Sequence, residues 1–292
     1  MSDCDNPDSH EGSGVAGVDA MPDAGIYRMN VYLLNMAFCY LVYGFVIAPI
    51  VGTIVQHCAY YVAAVAMQIA YFSVHTISPG EVPKRSAKAR KLYAEALQAA
   101  ADGTYMYADA SCMPALCHTC QIVKPMRSKH CTVLKRCVPM FDHYCPYLNN
   151  TIGGANYLSF MRFSFLGLVS SFLSVAGAVQ YLLNVTMFNQ LVWFYLVDMS
   201  MVLLTAISMN GYHITLILKN LTTNEDMNKH RYTYLRRDMK KIYYNPFSRG
   251  PWGNVCEFIG RREAVLDDPY VHSELYKVLR LKDDIERCGR CR

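Results

Sequence analysis

The chain has 292 residues, with 28 Lys and Arg against 23 Asp and Glu, a net charge of +5, and 12 cysteines. Its charges are unevenly placed: residues 29–80 contain no Asp, Glu, Lys or Arg, and residues 163–218 contain only Asp198. A bilayer core of about 30 Å takes roughly 20 apolar residues per helix, so each stretch has room for two spans and a tight connection. This excludes a purely soluble protein, and it makes the positive excess a matter of membrane topology; no nucleic-acid partner is implied.

Residues 1–28 are acidic and Gly/Ser-rich, with six acidic residues against one Arg, and are expected to form a disordered tail without a cleavable signal. Spans are expected at 29–51, 58–77, 161–183 and 191–214. Between them, 79–160 and 215–292 carry ten and sixteen Lys or Arg, whereas the connections near 52–58 and 184–190 carry none. Positive charge close to spans marks the cytosolic side, which places both charged segments and both termini there. The fold class expected is an α-helical integral membrane protein. Four transmembrane helices flank a cytosolic zinc-binding cysteine-rich domain between spans 2 and 3.

The second span stops at Ser78-Pro79-Gly80, a breaker pair. A basic, Ala-rich helix should follow, with Lys84, Arg85, Lys88, Arg90 and Lys91 either facing anionic headgroups or simply solvated. Asp198 within the fourth span is either a functional carboxylate or a residue near the lumenal interface beside Trp193 and Tyr195. Asn184-Val-Thr186 is a sequon placed too close to the membrane to be used. The final Cys288 and Cys291 form a lone CxxC, weak as a metal signal.

Chemistry concentrates between Cys117 and Cys145, where five of the twelve cysteines are interleaved with His130 and His143. Reducing cytosol disfavours structural disulfides there and favours metal binding or catalysis. Cys117 and Cys120 form a CxxC knuckle, with His130, Cys131 and Cys137 available to complete a four-ligand zinc site. The second element is Asp142-His143-Tyr144-Cys145. A thiol becomes nucleophilic when a base takes its proton and a third group orients that base, and these residues offer all three roles. Spacing alone leaves Cys145 open as a further zinc ligand.

These motifs resemble the DHHC-type protein S-acyltransferases, or palmitoyltransferases. The likeness runs through CxxC, KPxRSxHC, the DHYC tetrapeptide with Pro146, Asn150, Gly153, Asn156 and Phe160, then Thr222-Thr223-Asn224-Glu225 and the turn-rich 245–254. Ser78-Pro79-Gly80 is similar to the family's Asp-Pro-Gly. The resemblance implies that Cys145 carries the fatty acyl group as a thioester taken from acyl-CoA, with His143 as base and Asp142 orienting it. A cysteine of a cytosolic or membrane-attached protein then receives the group, and the acyl chain lies among the four helices. It further implies phosphate contacts from Lys124 and Arg127, support of Asp142 by Thr223, and a packing contact at Asn254. Residence in Golgi, ER or plasma membrane is expected.

One departure is informative. The family resemblance implies two zinc ions, each with three Cys and one His. The first set is intact as Cys117, Cys120, His130 and Cys137. Of the second only Cys131 remains, the other positions being Leu134, Tyr144 and Thr151. One zinc is therefore expected, and Tyr144 is a vacated ligand position beside an intact base. The rival readings are a non-enzymatic zinc-finger adaptor or pseudoenzyme, which would need none of Asp142, His143, Cys145, Thr223 or Asn254, and a channel, for which only Asp198 speaks.

Overall fold

The computed structural model describes residues 22–82, 87–101, 116–125, 127–230, 232, 235–237 and 242–260. Among the described residues, four helices are long and apolar enough to cross a membrane. They are α1 (Pro22–Val42, continued by a π-helical turn Tyr43–Ile47), α2 (Ile54–Thr76), α4 (Tyr157–Asn184) and α5 (Gln190–Lys219). α4 packs on both α2 and α5, and α1 closes against α5. Their outward faces present Phe38, Val62, Ile69, Phe172, Phe194 and Leu204, an apolar shell suited to lipid. Inside, Tyr43 stacks on Tyr60 at 3.6 Å between ring centroids, next to the fully buried Tyr195. Tyr40 and Tyr43 thus serve helix packing, with Gln68 donating to the Tyr40 hydroxyl at 2.7 Å.

Three helices extend past the charge-free windows at the end that carries the cysteines. α1 starts at Pro22, so residues 22–28 are helical where a disordered tail was expected. α4 starts at Tyr157, and α5 runs to Lys219 before Asn220 ends it in the left-handed region (φ 51°). The charge-free run measures the hydrocarbon, whereas a helix continues into the headgroup layer where Arg28, Arg162 and Lys219 are tolerated. At the other end α2 starts at Ile54, where the Thr53 side chain caps the Gln56 amide. The remainder of the acidic tail and the Cys288/Cys291 pair lie outside the described residues, as do Lys84 and Arg85.

Asp198 is half-buried and faces α1, where Asn35 Nδ2 donates to its carboxylate at 3.2 Å and the Cys39 thiol at 3.5 Å. Between α2 and α4 the chain forms α3 (Ala87–Ala101) and three short antiparallel hairpins: β1–β2 (Leu116–Cys117, Ile122–Val123), β3–β4 (Lys129–Cys131, Arg136–Val138) and β5–β6 (His143–Cys145, Asn150–Ile152). Gln121, Lys135 and Asn149 take φ of 54°, 51° and 46° in the three turns. These residues are fourteen apart, as are Cys117, Cys131 and Cys145, so the region is one hairpin written three times. α3 lays Ala89 on the first hairpin, in a buried cluster with Val82, Ile122 and the cysteines, and leaves Arg90 and Lys91 exposed.

Asparagines dock the hairpins onto the bundle. The last carbonyls of a helix lack intrahelical donors, and Asn150 Nδ2 meets those of Val74, His75 and Ile77 at 2.8–3.2 Å. Asn156 bridges Thr151 O and Ile77 O and accepts from the Gly153 amide. Beyond α5 come α6 (Thr223–Met227), the pair β7–β8 (Arg236–Arg237, Ile242–Tyr243) and α7 (Gly250–Gly260) against α5.

Candidate active site

The first two hairpins bring Cys117, Cys120, His130 and Cys137 together, with donor atoms all within 4.8 Å of one another. His130 Nδ1 lies 3.3 Å from Cys120 Sγ, 3.5 Å from Cys117 Sγ and 3.9 Å from Cys137 Sγ. A tetrahedral zinc with Zn–S near 2.3 Å and Zn–N near 2.0–2.1 Å sets N···S edges at about 3.5 Å, close to the three observed, so the donor set suits that ion. Burial and the neighbouring Cys117 and Cys120 push the Cys137 thiol well up. Crowded thiols of this kind are relieved when a cation draws off their protons. Strand register explains the convergence: His130 and Cys137 are directly paired across the second hairpin, facing the Cys117–Cys120 knuckle of the first.

The equivalent place one hairpin on is filled differently. Tyr144 and Thr151 are the paired positions there. Cys131 Sγ lies 3.2 Å from Thr151 Oγ1, and the Tyr144 hydroxyl donates to Asn149 Oδ1 at 2.8 Å. Burial pushes the Tyr144 phenol up, reinforced by Cys145 and Cys131, so it stands as a neutral donor.

The third hairpin carries Cys145 at the position of Cys117 and Cys131, but its surroundings differ. Asp142 is only 3% exposed and has four hydrogen-bonding connections. Thr223 N donates to Oδ1 at 2.7 Å, Thr223 Oγ1 donates to Oδ2 at 2.8 Å, His143 Nδ1 donates to Oδ2 at 2.7 Å, and Asp142's own amide donates to Ile152 O at 2.9 Å. An ionised carboxylate only accepts, so Nδ1 carries its proton and Nε2 is the nitrogen left to serve Cys145, two residues along the same strand and so on the same face. Burial opposes the charge on Asp142, yet His143 and the Thr223 amide hold its carboxyl below the usual range. Burial likewise opposes a charged His143, but the bonds to Asp142 and Cys145 outweigh it and push the imidazole up to about 9.

The third hairpin is held against the bundle end. Tyr71 OH donates to Tyr147 O at 3.1 Å, and His75 Nδ1 to Leu148 O at 2.7 Å. Cys145 packs beside a buried apolar cluster of Tyr71, Leu148, Ile152 and Phe160, continued by Tyr32, Leu33 and Phe163. Cys145 is thus in contact with the apolar packing at the end of the helices.

Of the two cations expected at phosphates, Arg127 is committed elsewhere. It makes a two-point pair with Glu225 at 2.8 and 2.7 Å, reaches Asn220 Oδ1 and O at 3.0 and 3.1 Å, and covers the Phe247 ring at 4.5 Å. With its side chain 7% exposed, Arg127 is held inside the protein by these partners. Lys124 remains half-buried at the end of the first hairpin. Asn254 is buried, donating to Leu218 O and Ser248 Oγ and accepting from the Arg249 amide. Asn220 and His213, which nothing in the local sequence singles out, are part of the same assembly. Asn220 also bonds Phe247 O and Glu257, and the buried His213 accepts or donates at Nδ1 to the Tyr157 hydroxyl at 2.9 Å.

Comparison with known proteins agrees with this geometry. Residues 111–230 match the DHHC palmitoyltransferase family model. The chain is 36% identical over 149 residues to palmitoyltransferase ZDHHC8 of Drosophila melanogaster, 48% of this chain and 15% of that protein. It is 33% identical over 164 residues to palmitoyltransferase Hip14 of the same organism, 50% of this chain and 25% of that protein. A probable protein S-acyltransferase 15 of Arabidopsis thaliana is 32% identical over 154 residues, 49% of this chain and 59% of that protein. The chain thus spans a quarter or less of the two insect relatives and 59% of the plant one. The stretch that carries the four-donor cluster and the Asp142–His143–Cys145 group is a domain of the DHHC palmitoyltransferase family.

Proposed function

We propose that this protein is a protein S-acyltransferase that moves palmitoyl or a similar fatty acyl group from acyl-CoA to protein cysteines through an acyl-Cys145 thioester. The observation that carries the reading is the alignment of Asp142, His143 and Cys145, braced by Thr223, where the bundle's apolar interior begins. In the first half, the Cys145 proton passes to His143 Nε2 and the thiolate attacks the acyl-CoA carbonyl. The CoA thiolate leaves and takes that proton. In the second half, His143 accepts the proton of a substrate thiol, which attacks acyl-Cys145 and releases the Cys145 thiolate to be reprotonated. Asp142 holds the tautomer and offsets the imidazolium in both halves.

A zinc ion held by Cys117, Cys120, His130 and Cys137 would stiffen the first two hairpins, on which the third is aligned. One ion is proposed and not two, because Cys131 is turned to Thr151 and Leu134, Tyr144 and Thr151 lack strong ligand atoms for zinc. Lys124 is the remaining candidate for the CoA phosphates. Positive charge on the cysteine-rich side puts the site and both termini in the cytosol, in an endomembrane (Golgi or ER) or the plasma membrane. A channel reading loses its one argument, since Asp198 has its partners on α1.

The test is incubation of the purified protein with labelled palmitoyl-CoA. A hydroxylamine-sensitive label on the wild type and none on Cys145→Ser is expected. Absence of label on the wild type, or equal label on the variant, would leave the adaptor reading standing.

A further inference from the structure

His213 lies near the cysteine-rich end of α5, 4% exposed, and the two-step transfer has no use for it. A buried imidazole in an apolar helix needs a reason, because an unbonded one is destabilising there. Its Nδ1 is 2.9 Å from the hydroxyl of Tyr157, the first residue of α4. Its ring lies 6.2 Å from that of His143, tilted by 41°, with Phe160 filling the angle at 5.0 Å from one ring and 5.4 Å from the other. It also stands close enough to act electrostatically on Asp142.

The titratable groups facing it among the described residues are therefore Tyr157 from α4, His143 and Asp142 from the third hairpin, and Tyr212 on its own helix. Asp142 fixes His143 only at its Nδ1 edge, and a ring held at one edge can still rock. The Tyr157–His213 pair lies on another side, on two elements rigidly packed together.

We propose that His213 is a positioning residue: locked by Tyr157, it braces His143 so that the imidazole, held at Nδ1 by Asp142, keeps one orientation beside Cys145. The proposal builds on the reading of Cys145 as nucleophile, but concerns the state of its thiol, which is measurable without acyl transfer. Tyr157 belongs to the same device, its hydroxyl fixing the orientation of the His213 ring.

The experiment follows alkylation of Cys145 by iodoacetamide across pH in the full-length protein in detergent, reading the Cys145 peptide by mass spectrometry, with His143→Ala as the floor. His213→Phe fills the space without the polar bond. It is expected to slow Cys145 alkylation near neutral pH roughly tenfold. His213→Gln, which can still meet Tyr157, restores most of the wild-type profile, and Tyr157→Phe shifts it in the direction of His213→Phe. Wild-type profiles in both His213→Phe and Tyr157→Phe would overturn the proposal, since His213 would then only fill space. Should His213→Phe not fold, Tyr157→Phe, which loses a single hydroxyl, decides alone. Failure of the wild type to take label from palmitoyl-CoA would sink the acyltransferase reading and leave these profiles to be judged separately.

Discussion

Arg127 and Glu225, ninety-eight positions apart, pair through two guanidinium nitrogens and both carboxylate oxygens, with side chains 7% and 2% exposed. The same carboxylate accepts from the Thr222 amide and closes the capping box of α6. One carboxylate therefore fixes the loop between the first two hairpins and the helix start that presents Thr223 to Asp142. Removing one partner of a buried pair leaves the other charge uncompensated, at about 3–5 kcal/mol. Arg127→Ala should lower thermal stability by that order and abolish labelling of Cys145. Arg127→Lys, which cannot make the two-point bond, should recover only part. Thermal unfolding in detergent together with the labelling assay checks both.

Thr223 acts on Asp142 through two separate donors, and only one belongs to its side chain. Thr223→Val keeps the amide bond and loses the hydroxyl. The expected result is a roughly tenfold fall in the rate of Cys145 acylation, equal to about 1.4 kcal/mol, with little change in unfolding temperature. Thr223→Ser should be close to wild type. A Thr223→Val protein with full rate would show that the amide suffices.

Two of these partnerships were unequally legible in the chain. Asp142, His143 and Cys145 lie within four residues, so their adjacency is local and the tetrapeptide shows it. Spacing narrowed the four-donor cluster less far: Cys131 competed with His130 and Cys137 for the Cys117–Cys120 knuckle, and it is the strand register that pairs those two. Arg127 looked like a phosphate ligand because a cation in a polar segment has no visible partner until residues 220–225 fold back onto it. Asn220 is similar: its left-handed φ of 51° at the end of α5, and its hydrogen bonds with Arg127, Asn245, Phe247 and Glu257, arise only in the tertiary structure. The fourteen-residue spacing of Cys117, Cys131 and Cys145 was present in the sequence, yet obscured because the three hairpins share turn geometry and not side chains.

The Asp142–His143 pair should set a pH dependence of stability. The His143 imidazole is raised in the folded protein, from an ordinary value of 6.5 to about 9. A raised group contributes stability that is complete below its unfolded value and is lost as pH rises through the folded value. The difference in unfolding temperature between wild type and His143→Gln should therefore be largest near and below about pH 6.5 and shrink up to about pH 9. Asp142, held low, works in the opposite sense, its contribution disappearing only as strong acid protonates it. A wild-type to His143→Gln gap constant from neutral pH to about pH 10 would contradict the charged pair.

Gly153 is where the third hairpin, the loop after α2 and the β4 end meet. A Cβ there would lie 2.5 Å from Val138 Cγ1 and 2.8 Å from the Pro79 carbonyl. The second neighbour is backbone, which cannot step aside as a flexible side chain can. Gly153→Ala should displace the Pro79–Ala155 hydrogen bond and separate the hairpins from α2. Overpacking of this kind costs about 1–3 kcal/mol. The expected readout is a lower unfolding temperature with Cys145 labelling lost, whereas Gly211→Ala, where nothing lies within 4 Å of the added methyl, should leave labelling unchanged.

The hairpin repeat makes the second metal position recoverable. In the first site a knuckle at Cys117 and Cys120 faces a cross-strand His130–Cys137 pair one hairpin on. Moving each position by fourteen gives Cys131 and Leu134 facing the cross-strand Tyr144–Thr151 pair. The Cys131 sulfur already lies 3.2 Å from Thr151 Oγ1, close to the donor separation that a tetrahedral zinc sets, about 3.8 Å between two sulfurs. The triple variant Leu134→Cys, Tyr144→His, Thr151→Cys should therefore carry two zinc ions per chain where the wild type carries one, measured by elemental analysis of the purified protein. Chelation should then destabilise the variant in two steps and the wild type in one. Two zinc ions in the wild type would refute the single-ion assignment. A variant still holding one would mean that the hairpins share a turn and a register without sharing the spacing a ligand set needs.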